Sequence, residues 1–270
     1  MIGILCSENS WMVEQLQLFL SRQNIETRLL LVDKEKELSG IDYVIVRGGP
    51  GIKNISDWQR LIKTVKNIEE KGIKCINSSE AIKKGLDKYS TYMMLRKNNI
   101  PTPETCLLGR FVGDSFPIVV KPVMGSEGEG VVKIENQQEL ERLKTKEQLL
   151  VQEFIPHGGV DYRAYIVGHC VVGSIARRAK NSWITNIAKG GVPEKYVLSE
   201  AVEKIAKQAA AAIGAEIATV DFAIINDKAK EQIHVFEVNT LPLFSKALEE
   251  ITGFNLAEEI IKYSLGKYTK

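Results

Sequence analysis

Two acids and an amide near the carboxyl end of the chain have the types and spacing of a cation site. Residues 219–225 (TVDFAII) and 233–239 (IHVFEVN) flank the polar stretch NDKAKEQ, which reads as a hairpin. A centre near Ala229 sets Asp221 opposite Glu237 and Phe222 opposite Phe236. Side chains alternate along a strand, so Asp221, Glu237 and Asn239 share one face. Directly opposed carboxylates repel unless a cation lies between them, and an all-oxygen set suits Mg2+, which binds one or two carboxylates and completes its shell with substrate phosphates. Solvated acids on a sheet edge are the plainer alternative, and the apolar neighbours stand against it.

A second candidate is the stretch IVVKPVMGSEGEGVVKI, residues 118–134. Its order, Gly125-x-x-Gly128-x-Gly130, leads into another strand. The dinucleotide fingerprint leads into a helix, and a P-loop carries Lys-Ser/Thr after its glycines, so both are excluded. What remains is a hairpin whose tip, including Ser126, can offer backbone N–H groups to phosphates; a hairpin tip with no ligand accounts for the same glycines. Lys121 tilts the reading, because the apolar alternation around it predicts burial and a buried ammonium needs a partner or an anion. Lys88 is a weaker second cation, with an ordinary surface lysine as its alternative.

The stretch VDYRAYIVGHCVVGSIARRAK, residues 160–180, reads as another hairpin. A turn at Gly168-His169 pairs Val167 with Cys170, Tyr165 with Val172, Arg163 with Ser174 and Asp161 with Ala176. Arg178 then joins Asp161 and Arg163 on one face while Arg177 points away. Fixed arginines on a polar face suit either anion recognition or a structural ion-pair cluster.

These residues need elements to hold them. The first 80 or so residues alternate strand and helix (IGILC, an amphipathic run to Arg22, TRLLLV, DYVIV, SDWQRLIKTVKNIEEKG, KCIN), which predicts a parallel sheet with Gly72 as a helix cap. A helix over DKYSTYMMLRK stops at Asn98-Asn99. From Pro117 onward strands pair antiparallel around helices at NQQELERLK, SEAVEKIAKQAAAAIG and NLAEEIIKYSLG, with Ser199 and Asn255 as N-caps and Gly214 and Gly266 as stops. The fold class is thus an α/β start followed by α+β, with units at 1–86, 87–155 and 156–270. In VIVRGGPG, at the end of the third strand, Arg47 is either a carboxylate partner in the crevice beyond the sheet or a solvated arginine beside a glycine pair.

At 270 residues, with 44% hydrophobic and 26% charged residues, the chain is an ordinary globular protein large enough for several packed units. A net charge of +2 gives no electrostatic reason for a nucleic-acid partner. No stretch reads as a membrane span or export leader, so a cytoplasmic location is expected. Cys6, Cys75, Cys106 and Cys170 lack metal or disulfide spacing. The three histidines, His157, His169 and His234, lie in no hydrolase or zincin motif.

Together the motifs LDKYSTYMMLRKNNIPTPET, IVVKPVMGSEGEGVV, LLVQEFIPHGGVDYRAYIVGHCVVGSIARRAK, WITNIAKGG, TVDF and FEVN resemble the ATP-grasp ligases in order and spacing from about Asp42 to Ile261, and within them the RimK-like branch. The resemblance implies a Rossmann-like pre-ATP-grasp domain followed by a two-lobed ATP-grasp fold. It also implies ATP with Mg2+, or Mn2+ in its place, and an ADP-forming carboxylate–amine ligation. Lys121 and Lys88 resemble the phosphate lysines, and residues 125–130 the lid over the triphosphate. Glu153, Phe154 and Ile155 resemble the adenine segment, and Asp161 the ribose position. Asp221, Glu237 and Asn239 match the metal ligands. Arg178 and Asn186 resemble residues beside the transferred phosphate and acyl group, with Gly190 and Gly191 in a loop beside them. WITNIAKGG is closer to the lysine-biosynthesis ligases (LysX) than to RimK proper, which has an arginine at the place of Ile184. The stretch NTLPLFS departs from both. Glutamate or another amino acid is the implied substrate, on an acceptor that is a small molecule or is carried on a protein or peptide, in a homodimer or homotetramer. A phosphotransferase at the same nucleotide site, or an ATP-binding regulatory module without chemistry, are the rival functions.

Overall fold

The computed structural model describes residues 1–32, 38–49, 52, 54–113, 115–125, 127–143, 147–180, 182–227 and 230–268. Strands β1 (Ile2–Cys6), β2 (Thr27–Leu31), β3 (Tyr43–Val46) and β4 (Lys74–Ile76) form an all-parallel sheet of order β2-β1-β3-β4. Helices α1 (Trp11–Arg22) and α2 (Ile55–Glu70) cross over between its strands. A capping box starts α2, with Asn54 and Asp57 satisfying each other's backbone N–H groups, and Gly72 lies just beyond its end at φ 82°. Helix α3 (Ser79–Leu86), which no sequence signal above singled out, begins at the N-cap Ser78. Next comes α4 (Lys88–Lys97), whose N-cap Asp87 accepts from Tyr89 and Ser90 N–H at 2.9 Å each.

An antiparallel sheet follows, of order β5-β8-β6-β7, from β5 (Thr105–Leu107), β6 (Ile118–Pro122), β7 (Val132–Ile134) and β8 (Leu149–Glu153), with α5 (Gln137–Glu141) between β7 and β8. It has a small core of its own around Ile118, Val120, Ile134, Leu149 and Val151. The third sheet, β11-β10-β9-β12-β13, is also antiparallel: β9 (Val160–Val167), β10 (Cys170–Arg178), β11 (Val192–Lys195), β12 (Ile217–Asp227) and β13 (Lys230–Asn239). Helix α6 (Glu200–Ile213), capped by Ser199 and ended by Gly214 in the left-handed region, covers one face through Val202, Ala206, Ala209 and Ile213 against Ala164, Ile166, Val220 and Phe222. The apolar end of the other face, Tyr165, Val167, Ile175 and Ile217, shares a core with Ile2, Ile4, Tyr43 and Ile45 of the first sheet. Both sheets therefore lose apolar area to the same interior, which fixes the N-terminal unit against the third sheet.

Helices α7 (Lys246–Thr252) and α8 (Leu256–Tyr268) close the chain. Asn255 caps α8 by accepting from Ala257 and Glu258 N–H. Gly266 does not end α8, contrary to the sequence expectation. Lys267 and Tyr268 beyond it bond to Glu216, and Tyr268 lies against the ring of Tyr43 at 5.2 Å, so tertiary contacts carry the helix past a poor helix former.

Candidate active site

Lys121 is the centre of the site. The β6 alternation directs it inward, where it is 7% exposed, and its Nζ donates to Gln152 Oε1 at 2.9 Å. Gln152 in turn donates to Thr105 Oγ1 at 2.9 Å, so a chain of neutral groups across β6, β8 and β5 aims the ammonium. Burial pulls the Lys121 pKa down to about 8, with Lys88 adding to the fall and the Glu237 carboxylate opposing it. The interaction with Glu237 connects the second sheet to the third. An ammonium buried with a single hydrogen-bond acceptor among the described residues, an amide, keeps N–H groups that an anion could accept from.

Lys88 is the first residue of α4, where a cation opposes the helix dipole, so its place serves something other than helix stability. Its backbone N–H donates to Val123 O at 3.1 Å and its Nζ to Gly125 O, which ties α4 to the start of the glycine loop. Gly128 has φ 74°, and a Cβ on it would stand 2.8 Å from Asn186 Oδ1. Only glycine fits there, and the loop tip thereby reaches the segment after β10. Gly130 packs on Pro122. Ser126 lies outside the described residues. Asn186 O accepts from Gly191 N–H at 3.1 Å, with Gly190 between them in the left-handed region.

At the end of β8, Glu153 is exposed and accepts from Glu104 N–H at 3.3 Å, and Ile155 is buried. Phe154 meets the Trp183 ring edge-on at 5.7 Å, and Lys133 Nζ lies 4.3 Å from its centroid. His157, whose Nδ1 is buried without a partner, sits against Phe236 at 6.1 Å; burial lowers its pKa.

Asp221 pairs with Glu237, and Thr219 with Asn239, so the three oxygen-bearing residues share a face as expected. Phe222, however, pairs with Val235, not with Phe236. Asp227 pairs with Lys230, one residue tighter than a hairpin centred on Ala229, which itself lies outside the described residues. A bulge at Phe236 then restores the register at Asp221. Pro101 O and Thr102 Oγ1 bond the backbone of Val235 beside it.

The β9–β10 hairpin overturns a second expectation. Val167 pairs with Cys170, but a bulge between Val171 and Gly173 moves Tyr165 to Gly173, Arg163 to Ile175 and Asp161 to Arg177. Arg177 is therefore the arginine that shares a face with Asp161 and Arg163. Arg178 projects from the opposite face, exposed, and pairs with Glu194 at 3.0 Å. The signal was Gly173, a lone glycine in a strand: a Cβ on it would stand 2.1 Å from the ring of Phe254.

Arg177 donates to Asp161 at 2.8 and 2.5 Å and to Asp221 at 3.0 Å, and Arg163 donates to Asp221 at 2.7 Å through both Nε and a terminal nitrogen. Burial works to raise the Asp221 pKa, but the two guanidinium groups overcome it and hold it down to about 2. Asp161, at the position expected to approach a ribose, is buried with both oxygens on Arg177. Tested as a magnesium set, Glu237 and Asn239 fit, since among the described residues no hydrogen bond occupies their side chains. Asp221 would reach the ion only by sharing oxygens already held by arginine.

Asn77, after β4, carried no sequence signal. Its amide donates to Ile217 O and Thr240 O at 2.6 Å each and accepts from Glu216 and Ile217 N–H at 2.7 and 2.9 Å. It fixes the start of β12 and the residue after Asn239. Arg47 is 5% exposed, which removes the solvated-arginine alternative.

The "Probable alpha-L-glutamate ligase" of Haemophilus influenzae is 33% identical over 240 residues, covering 84% of this chain and 76% of that protein. The "Tetrahydromethanopterin:alpha-L-glutamate ligase" of Methanosarcina acetivorans is 29% identical over 285 residues, covering 90% and 86%. The solved structure of the ATP-grasp ligase PsnB complexed with minimal precursor superposes with a TM-score of 0.73 at 19% identity, covering 100% of this chain and 99% of that one. Residues 85–264 match the RimK-like ATP-grasp domain, and the chain belongs to that family.

Proposed function

We propose that the chain is an ATP-dependent carboxylate–amine ligase that forms an amide through an acyl phosphate and releases ADP and phosphate. The observation that carries this reading is Lys121: a buried ammonium held by a neutral amide, facing Glu237, beside a glycine loop whose tip reaches Asn186. The triphosphate of ATP is the anion that Lys121 and Lys88 would take, with the loop of residues 125–130 over it and the base against the Glu153–Ile155 segment. Glu237 and Asn239, with a shared oxygen of Asp221, would hold Mg2+, which when bound neutralises charge on the phosphates.

A carboxylate oxygen attacks the γ-phosphorus, the bond to the β-phosphate oxygen breaks, and ADP leaves. The amine then attacks the acyl carbon, phosphate departs with the bonding pair, and the amine proton passes to solvent. Lys121 meets the charge that builds on the transferring group and owes no competing ion pair. Arg177, on the cleft face, replaces Arg178 as the arginine positioned to support this chemistry; it acts through Asp221 and Asp161. One component is an amino acid, with L-glutamate the first candidate because similar curated proteins are glutamate ligases.

The test is ADP release by the full chain with ATP, Mg2+, L-glutamate and a panel of small-molecule and peptide carboxylates. Release that requires both an amine and a carboxylate, with an amide in the product, supports the ligase. A stable phosphorylated product formed without amine would make the protein a phosphotransferase, and nucleotide binding without turnover a regulatory module.

A further inference from the structure

Arg47 is a buried cation that the reaction above does not use. The first sheet runs β2-β1-β3-β4, so the chain leaves β1 toward one side and returns to β3 on the other. The crevice outside the carboxyl ends of two such strands is where open parallel sheets take ligands. Arg47 stands there: its N–H donates to Leu5 O at 2.7 Å, and Ser7 N–H donates to Gly48 O at 3.3 Å, which sets the ends of β1 and β3 side by side.

The side chain reaches away from its own sheet. One terminal nitrogen donates to Pro242 O, three residues beyond Asn239, while Nε and the other terminal nitrogen are buried without a partner. No acid pairs with it among the described residues, and burial alone pulls its pKa to about 10. The hydroxyl of Thr219 is likewise buried and unpartnered, and that of Tyr165 is buried beside Arg163. Thr219 pairs with both Asn239 and Tyr165, and the Tyr165 ring meets Phe244 at 5.3 Å. Arg47, Thr219 and Tyr165 thus each meet residues 239–244, the loop that leaves the oxygen donor set.

A guanidinium with two unpartnered nitrogens can donate to a carboxylate, and a charge buried without compensation is costly unless a ligand supplies the counter-charge. We propose that Arg47 anchors a substrate carboxylate that does not react, so that the amino-acid component is held by a free carboxylate at the junction of the first and third sheets. This rests on the ligase reading and adds its substrate side: the N-terminal unit selects the amino acid, and the two later sheets handle the nucleotide.

The experiment compares the full chain with Arg47→Met and Arg47→Lys, using L-glutamate as the probe in thermal unfolding and in ADP release. L-Glutamate is expected to raise the Tm of the wild type and not that of Arg47→Met. The KM for L-glutamate rises about ten-fold or more in Arg47→Met, the size of one lost charged hydrogen-bond pair, while the KM for ATP stays within about two-fold. The ligand-free Tm of Arg47→Met does not fall, because the substitution removes an uncompensated charge, and Arg47→Lys recovers only part of the affinity. A wild type that gains nothing from L-glutamate overturns the proposal. So does an Arg47→Met protein that keeps the gain, or one whose ligand-free Tm falls and is restored by lysine with the glutamate effect intact. Glutamate protection that depends on Arg47, in a protein that releases no ADP, keeps the carboxylate site and sinks the ligase reading.

Discussion

Two regions of this molecule bury positive charge in opposite ways. On the third sheet, Arg163 and Arg177 face Asp161 and Asp221, and among the four the charges cancel through short, forked hydrogen bonds. At Lys121 and Arg47 the cation is deeply buried too, but among the described residues its hydrogen bond goes to a neutral oxygen, Gln152 Oε1 in one case and Pro242 O in the other, and the Glu237 carboxylate only partly offsets the burial of Lys121. The compensated cluster satisfies its electrostatics without a ligand and holds its shape on its own. The cations without such a partner store a cost that a bound anion would relieve, and on the function proposed above they are the groups that bind.

The contrast is broken most directly at Lys121. Replacing it with methionine is expected to lower ADP-forming turnover by roughly 10²-fold or more, the usual effect of removing one preorganised donor. The free protein should be no less stable, because burial of the charged lysine opposes folding by roughly 3 kcal/mol, taken from a fall of its pKa from 10.5 to about 8. The sign is checked by pH: the folded protein releases this proton before the unfolded chain does, so wild-type stability gains from this group between about pH 8 and pH 10.5, and the methionine variant loses that gain. Denaturant titrations at about pH 7.5 and about pH 10, either side of that rise, read it out.

The scaffold should answer in the reverse order. Arg177→Met leaves Asp161 without its guanidinium and is expected to cost about 3 kcal/mol or more of folding free energy, measured by chemical denaturation. Acid should weaken the same cluster. The Asp221 pKa lies below its ordinary value, so its contribution, about 2 kcal/mol, is whole above about pH 4 and is lost as pH falls toward about 2. Asp221→Asn flattens that limb. The smallest effect belongs to Arg178→Met: its partner Glu194 is exposed, and such pairs are worth at most about 1 kcal/mol. If Arg178→Met were the more damaging of the two arginine substitutions in turnover and stability, the assignment of faces on β10 would be wrong.

Much of this arrangement is legible in the amino-acid sequence. Period-two alternation announced the strands and the burial of Lys121, and the strand–helix alternation of the first 80 or so residues announced the parallel sheet. The pairing of Asp221 with Glu237 was legible too, though by a route that missed one step, since a tighter turn and a bulge at Phe236 offset each other. No such offset exists in the β9–β10 hairpin, where the single bulge near Gly173 exchanges Arg177 for Arg178. One inserted residue flips every side chain beyond it, and the ring that Gly173 makes way for, Phe254, comes from a distant segment of the chain. Helices α3 and α7 are short, and their patterns are too brief to register as periodic. Asn77 gives no local pattern at all, because its four bonds go to residues some 140 to 160 positions away.

The central claim, that the uncompensated ammonium of Lys121 is where nucleotide phosphate binds, is tested most directly by calorimetric titration of MgADP and MgATP into the wild type and Lys121→Met at matched pH. The account predicts clear binding to the wild type, a loss of about ten-fold or more in affinity in the variant, and proton uptake on binding near pH 8 that the variant lacks, since an anion raises the lysine pKa. Equal affinity in the two proteins, with the same proton count, would contradict it.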